Sequence, residues 1–399
     1  MAVVTYQLDL PTFRNAYSRF LSAPEAQGRI LLTGHSHQAW PDAARDALTR
    51  CFDDAARLVD DKWGGSVFPI IGKVGEQVLT RMGFHSTDPI AFGKSTHELV
   101  FRLLTCFRAS DKPRIVTTDS EFHSLHRQTA RLAEEGYNVV WVPGQPRDGL
   151  VDRLLQAITP GTAVVAFSAV MFEDAYVLPR LGEIIERANA VGAVPLVDAY
   201  HAFNVVPLDW GPAKDSVFAT AGGYKYASFG EGVCWLRIPK NCTLRPVDTG
   251  WFADFAALEG PRTFQVGYGE GGARFAGATF DPSCFYRAEA ALQHWEDFGL
   301  TVERLRAIST RQTTRMIERL ENAGLADRIV SQRDPARRGG FVGVRTSQAE
   351  KVVHSLREQH VYTDARGQIL RLGPAPYLTD EEIDTGVDRA AALLVGSLG

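Results

Sequence analysis

Val194-Pro-Leu-Val-Asp198-Ala-Tyr-His201 and, after a second apolar run at Asp215–Thr220, Ala221-Gly-Gly-Tyr-Lys225-Tyr226 are the stretches that decide the fold of this chain. An apolar run closing on an acid places Asp198 at the carboxyl end of a buried parallel strand. A carboxylate there is costly unless a cation meets it. Lys225 falls just beyond the end of the next apolar run, and the two glycines before it allow a close backbone approach. A lysine among aromatic groups can lose its proton and act as a nucleophile. On its own the pair admits two readings, a structural Asp–Lys ion pair or a catalytic one.

Outward from these segments, short apolar runs alternate with amphipathic stretches. Strands are expected at Pro89–Phe92, Arg114–Thr117, Asn138–Val142, Ala163–Ser168, Val194–Val197, Ser216–Ala219 and Gly232–Arg237. Helices are expected at Thr96–Phe107 and Leu181–Ala190. Strands separated by helices predict parallel pairing, because a crossover returns the chain in the same direction. Such sheets bind ligands outside the carboxyl ends of their strands. After about residue 290 the pattern changes to long amphipathic helix over Ala288–Ala323, interrupted near Phe298-Gly299. Strands at Gly340–Arg345 and Ile369–Leu372 follow, around a helix at Gln348–Glu358. The expected organisation is an N-terminal segment (1–45) joining a small C-terminal α+β domain (288–399), with a large α/β domain (46–287) between them.

Composition narrows the class. The chain of 399 residues has 43 Lys and Arg against 47 Asp and Glu, a net charge of −4 that argues against phosphate-backbone binding and hence against a nucleic-acid partner. No apolar run approaches the roughly 18 residues of a membrane helix, and the start lacks a secretion signal. Five cysteines without CxxC or CxH spacing indicate neither a disulfide framework nor a zinc module. A cytoplasmic protein without a metal is expected.

Several motifs fail. Gly93-Lys94-Ser95 resembles the end of a P-loop, but Asp88 stands where the first glycine is needed. His97-Glu98 begins an HExxH pattern that Phe101 breaks. His35/His37 and His123/His126 lack supporting carboxylates or thiolates at ligand spacing. The glycine-rich residues 267–277 adjoin no strand–helix signature and read as the flexible approach to Thr279.

Asp198-x-x-His201 followed by Gly-Gly-Tyr224-Lys225 resembles the aminotransferase class V group of fold-type-I pyridoxal 5'-phosphate (PLP) enzymes, and within it most closely the kynureninases. Further blocks fall in the order of that group. Ser95-Thr96 corresponds to the phosphate-binding turn, with Ser95 and Glu98 spaced as a capping box at a helix start. Glu121-Phe122-His123-Ser124 corresponds to the block whose aromatic residue stacks on the cofactor; Phe122 is the kynureninase choice. Gly250-Trp251-Phe252 and Arg274–Thr279 match two later blocks, and Arg371-Leu-Gly-Pro-Ala-Pro-Tyr377 the small-domain block.

The resemblance implies a large domain with a mainly parallel seven-stranded sheet plus a smaller α+β domain. It also implies PLP as cofactor and an amino acid as substrate. Lys225 would hold the cofactor covalently and later shuttle the α-proton, and Asp198 would keep the ring nitrogen protonated. His201 would lie beside Asp198 or the ring oxygen. Ser95, Thr96 and Tyr224 would bind the phosphate, and Tyr224 would also relay a proton. Arg371 would take the substrate α-carboxylate, with Ser36 and Phe280 also on the substrate side. Trp251 and Thr279 would reach the site from a partner subunit, which implies a homodimer with shared sites.

Four departures fall on the substrate side. Phe280 follows Thr279 where kynureninases usually carry an Asn, and no counterpart of an early active-site His lies around Asp60–Trp63. His35-Ser36-His37-Gln38 replaces Asn-Ser-Leu-Gly, and Glu173-Asp174-Ala175 replaces Thr-Gly. Whether His35, His37 or Glu173 takes over substrate contacts stays open. The expected activity is hydrolysis of the β–γ carbon bond of a γ-keto amino acid to alanine and an aryl acid. The alternatives are a class V aminotransferase or desulfurase-like lyase, and a non-catalytic binding module of the same fold. Desulfurases of the group need a mobile cysteine in a late loop, for which Cys284 is the nearest candidate.

Overall fold

The computed structural model describes residues 8–261 and 264–396. Its twelve strands are β1 (Ile30–Leu31), β2 (Ile90–Gly93), β3 (Arg114–Thr118), β4 (Asn138–Val142), β5 (Thr162–Ser168), β6 (Val194–Asp198), β7 (Phe218–Gly222), β8 (Cys234–Arg237), β9 (Val342–Arg345), β10 (Val361–Tyr362), β11 (Asp364–Arg366) and β12 (Ile369–Leu372). A seven-stranded sheet has the order β2-β8-β7-β6-β5-β3-β4. Its center is apolar on both faces: Val164, Val165, Ala166 and Phe167 are all fully buried. Burial on both faces is what a sheet covered by crossover helices requires.

Pairing is parallel from β7 through β4, and β8 runs antiparallel to both β7 and β2. The sheet is mainly parallel, as expected; β8 is the exception because only a short loop, with no crossover helix, joins it to β7. Strand β7 begins two residues later than expected, since Lys214–Ser216 form a 3-10 turn, and it extends to Gly222, which pairs with Cys234. The helix expected over Thr96–Phe107 stops at Leu104. There Thr105 Oγ1 donates back to the Arg102 carbonyl, a local bond that competes with continuing the helix.

Register sets the site. Ser168 pairs with Asp198, and Asp198 with Thr220, so three adjacent parallel strands end in one polar row. The turns after β2, β3, β6 and β7 deliver Ser95, Phe122, His201 and Lys225 to that same rim.

The long C-terminal helical stretch is two helices, Ser283–Asp297 and Val302–Asn322, broken where Gly299 takes a positive φ of 58°. Strands β11, β12 and β9 form a three-stranded antiparallel sheet. The N-terminal segment packs on the same core: β1 pairs with β10, and Phe13, Tyr17 and Leu32 are buried with Leu320, Val344 and Leu372. Among the described residues no helix is long and apolar enough to cross a membrane.

Candidate active site

Lys225 follows the end of β7, and its approach depends on glycine. A Cβ on Gly222 would meet Cys234 Sγ at 2.5 Å and Tyr200 Oη at 2.6 Å; one on Gly223 would meet the Phe229 ring at 1.9 Å. Lys225 Nζ lies 2.7 Å from His201 Nε2. It stands 4.4 Å from the Tyr200 ring center and 5.5 Å from that of Phe122. Burial lowers its pKa to about 7, helped by Arg371 and Arg366 and opposed by Asp198 and Asp364. His201 is held well below its usual range, by burial first and then by Lys225 and Arg371. Its Nδ1 is buried with no hydrogen-bond partner.

Asp198 Oδ1 accepts the Tyr200 N–H at 2.8 Å, while part of the residue stays open. Burial raises its pKa, and the Tyr200 N–H and Lys225 oppose that rise. Behind it sits a carboxyl that the sequence did not single out as functional. Glu121 is almost fully buried; its Oε1 accepts from Thr118 Oγ1 at 2.7 Å and its Oε2 from Ser168 Oγ at 2.5 Å. Burial pushes Glu121 up to about 7, and nearby Asp198 adds to the rise against those hydroxyl bonds. Glu121 thereby ties the ends of β3 and β5 together and anchors the turn carrying Phe122. Its place beside Phe122 in the sequence was the available signal; its hydroxyl partners come from two other strands' ends.

Ser95 caps the helix Thr96–Leu104, its Oγ accepting the Glu98 N–H at 3.2 Å. Glu98 reaches back to the Lys94 N–H at 3.3 Å, one residue earlier than a capping box requires. Cys234, opposite Gly222, packs beneath this turn in the same core as Leu99 and Leu103.

Arg371 is buried and heavily engaged. Its Nε donates to Asp364 Oδ1 at 2.9 Å, its Nη2 to Asp364 Oδ2, and its Nη1 to the Phe172 carbonyl at 2.7 Å. The fork expected to hold a substrate carboxylate thus already holds one of the protein's own. Burial opposes ionisation of Asp364, but His35 and Arg371 outweigh it and hold the acid far below its usual range. His35 Nε2 contacts Asp364 Oδ1 at 2.8 Å, yet burial lowers His35 to about 4, so at neutral pH a neutral ring donates this bond. Ser36 Oγ donates to the Thr33 carbonyl at 3.3 Å. The Tyr224 ring meets His37 edge-on at 5.3 Å, and burial raises the Tyr224 pKa. Glu173 lies 3.7 Å from Arg147, which is held more closely by Asp174.

Trp251 and Phe280 gather elsewhere. The Phe280 ring packs against Trp63 at 5.6 Å and Phe285 at 5.5 Å, and Trp251 against Phe252 and Phe255 at 4.3 and 5.0 Å. Thr279 precedes Phe280 in the loop leading to the helix Ser283–Asp297. Within one chain these three are not drawn into the Lys225 cluster.

The sheet order, with its single antiparallel strand and its polar rim, is the fold-type-I architecture. An apo cysteine desulfurase from Thermococcus onnurineus NA1 superposes with a TM-score of 0.79 at 17% identity, covering 98% of this chain and 99% of that one. A mutant of C-DES with glycine covalently linked to its PLP cofactor gives 0.79 at 19% identity, covering 95% and 98%. Residues 305–390 match the kynureninase C-terminal domain family. An uncharacterized aminotransferase of Bacillus subtilis (strain 168) is 24% identical over 314 residues, 76% of this chain and 79% of its own. A kynureninase of Geobacillus thermodenitrificans (strain NG80-2) is 24% identical over 379 residues, 89% of this chain and 86% of its own. These likenesses support the fold-type-I architecture and the resemblance to the class V aminotransferase-like family.

Proposed function

We propose that this protein is a PLP-dependent hydrolase that cleaves the β–γ carbon bond of a γ-keto amino acid, kynurenine or a related aryl substrate, as kynureninases do. The observation that carries it is the setting of Lys225: an amine near neutrality, hydrogen-bonded to His201 and to no carboxylate among the described residues, with the half-buried strand-end acid Asp198 acting on its charge. A structural ion pair would join the two directly.

The donor set fits PLP. Lys225 is the amine for its aldehyde, and Asp198 the acid for its ring nitrogen. Phe122 is a flat wall, and Ser95 with Thr96 at a helix start suits its phosphate. Among the described residues none hydrogen-bonds His201 Nδ1, which leaves a further buried polar group at this site. When bound, PLP supplies an electron sink next to the substrate α-carbon.

The residues then divide the work. Lys225 would hold the cofactor and would carry the substrate's α-proton. Asp198 would keep the ring nitrogen protonated. Tyr224, half-buried beside His37, would relay a proton to the γ-oxygen. Water is consumed: its hydroxyl completes the aryl acid and a proton completes the methyl group of alanine.

The desulfurase-like alternative is favoured by the structural likeness to cysteine desulfurases. Against it stands the state of the thiols. Burial raises all five above their ordinary range, Cys106 and Cys234 to about 12 and Cys284 to about 11. Cys284, the late-loop candidate, starts a helix with Sγ bonded to the Gly232 and Asp281 carbonyls. A thiolate nucleophile needs the opposite environment.

A homodimer is part of this reading. Phe68, Trp251, Phe255 and Leu258 are 41–55% exposed, and the three rings among them touch through Phe255. Contiguous exposed aromatic surface of this kind marks an interface, and it would let Trp251 and Thr279 complete the partner's site. Mass spectrometry of products from PLP-loaded protein with kynurenine, 3-hydroxykynurenine, cysteine and amino acid/keto acid pairs tests the proposal. Alanine with an anthranilate supports it; amino transfer or sulfur release replaces it with the corresponding alternative.

A further inference from the structure

A cleft of about 720 Å³ opens where the two cores meet, and no residue of the Lys225 cluster lines it. One wall is the C-terminal end of the helix Phe68–Arg81. The other is the break at Gly299. The helix before that break packs in the large core through Phe285 and Leu292, and the helix after it in the small core through Leu305 and Met316. The volume is that of a small-molecule site, for which about 300–1,000 Å³ is usual.

Charge in the cleft is divided. Half-buried Arg81 lines it, and the protein uses only part of the guanidinium. Nη1 donates to Asn204 Oδ1 at 2.8 Å and to the Leu300 carbonyl at 3.2 Å, and among the described residues no carboxylate hydrogen-bonds to Arg81. Burial lowers its pKa to about 10, against the pull of Glu296 and Glu303. Glu76, Glu296 and Glu303 line the same cleft and are exposed, which sets them at its mouth. Of the three, Glu296 alone accepts a side-chain hydrogen bond among the described residues, from Gln77 Nε2 at 2.6 Å.

We infer that this cleft is a second ligand site, built for a small zwitterion with an apolar body. The carboxylate of the ligand meets Arg81, its ammonium faces the glutamates at the mouth, and its apolar part lies along Pro207 and Leu208. Both charges are needed. A simple anion would pass three carboxylates on its way in, and a simple cation would leave Arg81 without a partner. The site does not depend on the chemistry proposed at Lys225, but a route leads there. Asn204, which takes the bond from Arg81, donates through Nδ2 to the carbonyl of Tyr226 at 3.1 Å, one residue beyond Lys225. A ligand that draws Arg81 away from Asn204 is thereby felt at the turn carrying Lys225, as an effector would be.

The probe is N,N-dimethyl-L-phenylalanine, a zwitterion whose tertiary amine cannot form an imine with an aldehyde. Calorimetric titration of the PLP-treated full chain should show binding, and Lys225→Ala should bind the probe as wild type does. Arg81→Gln should weaken it about tenfold or more, the scale of a hydrogen bond to a charged group. 3-Phenylpropanoate, without the ammonium, and N,N-dimethyl-L-phenylalaninamide, without the carboxylate, should each bind at least about tenfold more weakly. Glu303→Gln, an exposed change that should leave Tm unaltered, should weaken the zwitterion but not 3-phenylpropanoate. No binding to wild type, equal affinity in wild type and both cleft variants, or binding lost in Lys225→Ala overturns the site. Bound probe should also shift the cofactor's visible band; a band unmoved at saturation removes the coupling and keeps the site. A chain with no visible band removes the PLP reading, while the titrations still decide the cleft.

Discussion

Lys225 Nζ and His201 Nε2 stand 2.7 Å apart at the rim of the large sheet, in surroundings that disfavour charge on either. Two cations at that distance repel strongly in a low-dielectric site. His201 therefore stays neutral and accepts from Lys225 whenever the amine is protonated. Above neutrality the lysine is poised as a free nucleophile.

The first prediction is a pH profile for cofactor loading. An amine attacks an aldehyde only when unprotonated, so the rate of PLP association with cofactor-free protein should rise through about pH 7 and then level off. An exposed lysine would keep rising toward pH 10.5. Stopped-flow absorbance measures this, and borohydride reduction followed by peptide mapping should find the label on Lys225. Label on a different lysine would remove the assignment.

Asp198→Asn keeps the shape and removes the charge. PLP affinity should change little, because the phosphate and imine contacts are untouched. Turnover should fall by roughly two orders of magnitude, comparable to other positioned acid–base groups. Near-normal turnover in this variant would contradict the role given to Asp198.

Glu121 makes a stability prediction. Its folded pKa, about 7, lies above the usual carboxyl value, so between roughly pH 4.5 and 7 the folded protein binds more protons than the unfolded chain. Its contribution to stability therefore declines as pH rises through that window, by on the order of 3 kcal/mol at most. Glu121→Gln should flatten this decline in chemical denaturation of the cofactor-free protein. An unchanged slope would place the titration elsewhere.

Phe280 supplies no amide to a ring substituent, so kynurenine should be used at least as well as 3-hydroxykynurenine. Unmade polar contacts discriminate against the more polar substrate. Phe280→Asn should shift kcat/KM toward the hydroxylated compound, at some cost in packing against Trp63 and Phe285. A strong wild-type preference for 3-hydroxykynurenine that this variant leaves unaltered counts against Phe280.

Charge placed in the exposed aromatic patch should split the dimer. Phe255→Arg puts an unpaired cation in an apolar interface. Light scattering should report a monomer, and activity should fall with it. A dimer of undiminished stability would move the interface away from Phe68, Trp251 and Phe255.

The sequence by itself determined the sheet and the row of chemistry along its rim. Apolar runs ending at Asp198 and before Lys225 match strands covered on both faces, which need unbroken apolar sequence. The resemblance to class V enzymes then assigned Ser95, Phe122, His201 and Lys225 to one site. What the tertiary structure alone decided are the pairings between segments far apart in the chain. Glu121 reaches Ser168 across 47 residues, and His35 reaches Asp364 across 329. The occupied fork of Arg371 shows the difference most clearly. Its block was legible as a carboxylate binder, but Asp364 sits opposite only once the β11–β12 hairpin closes. Local pattern specifies which residues face inward; which charges neutralise one another depends on distances that only the packed chain defines.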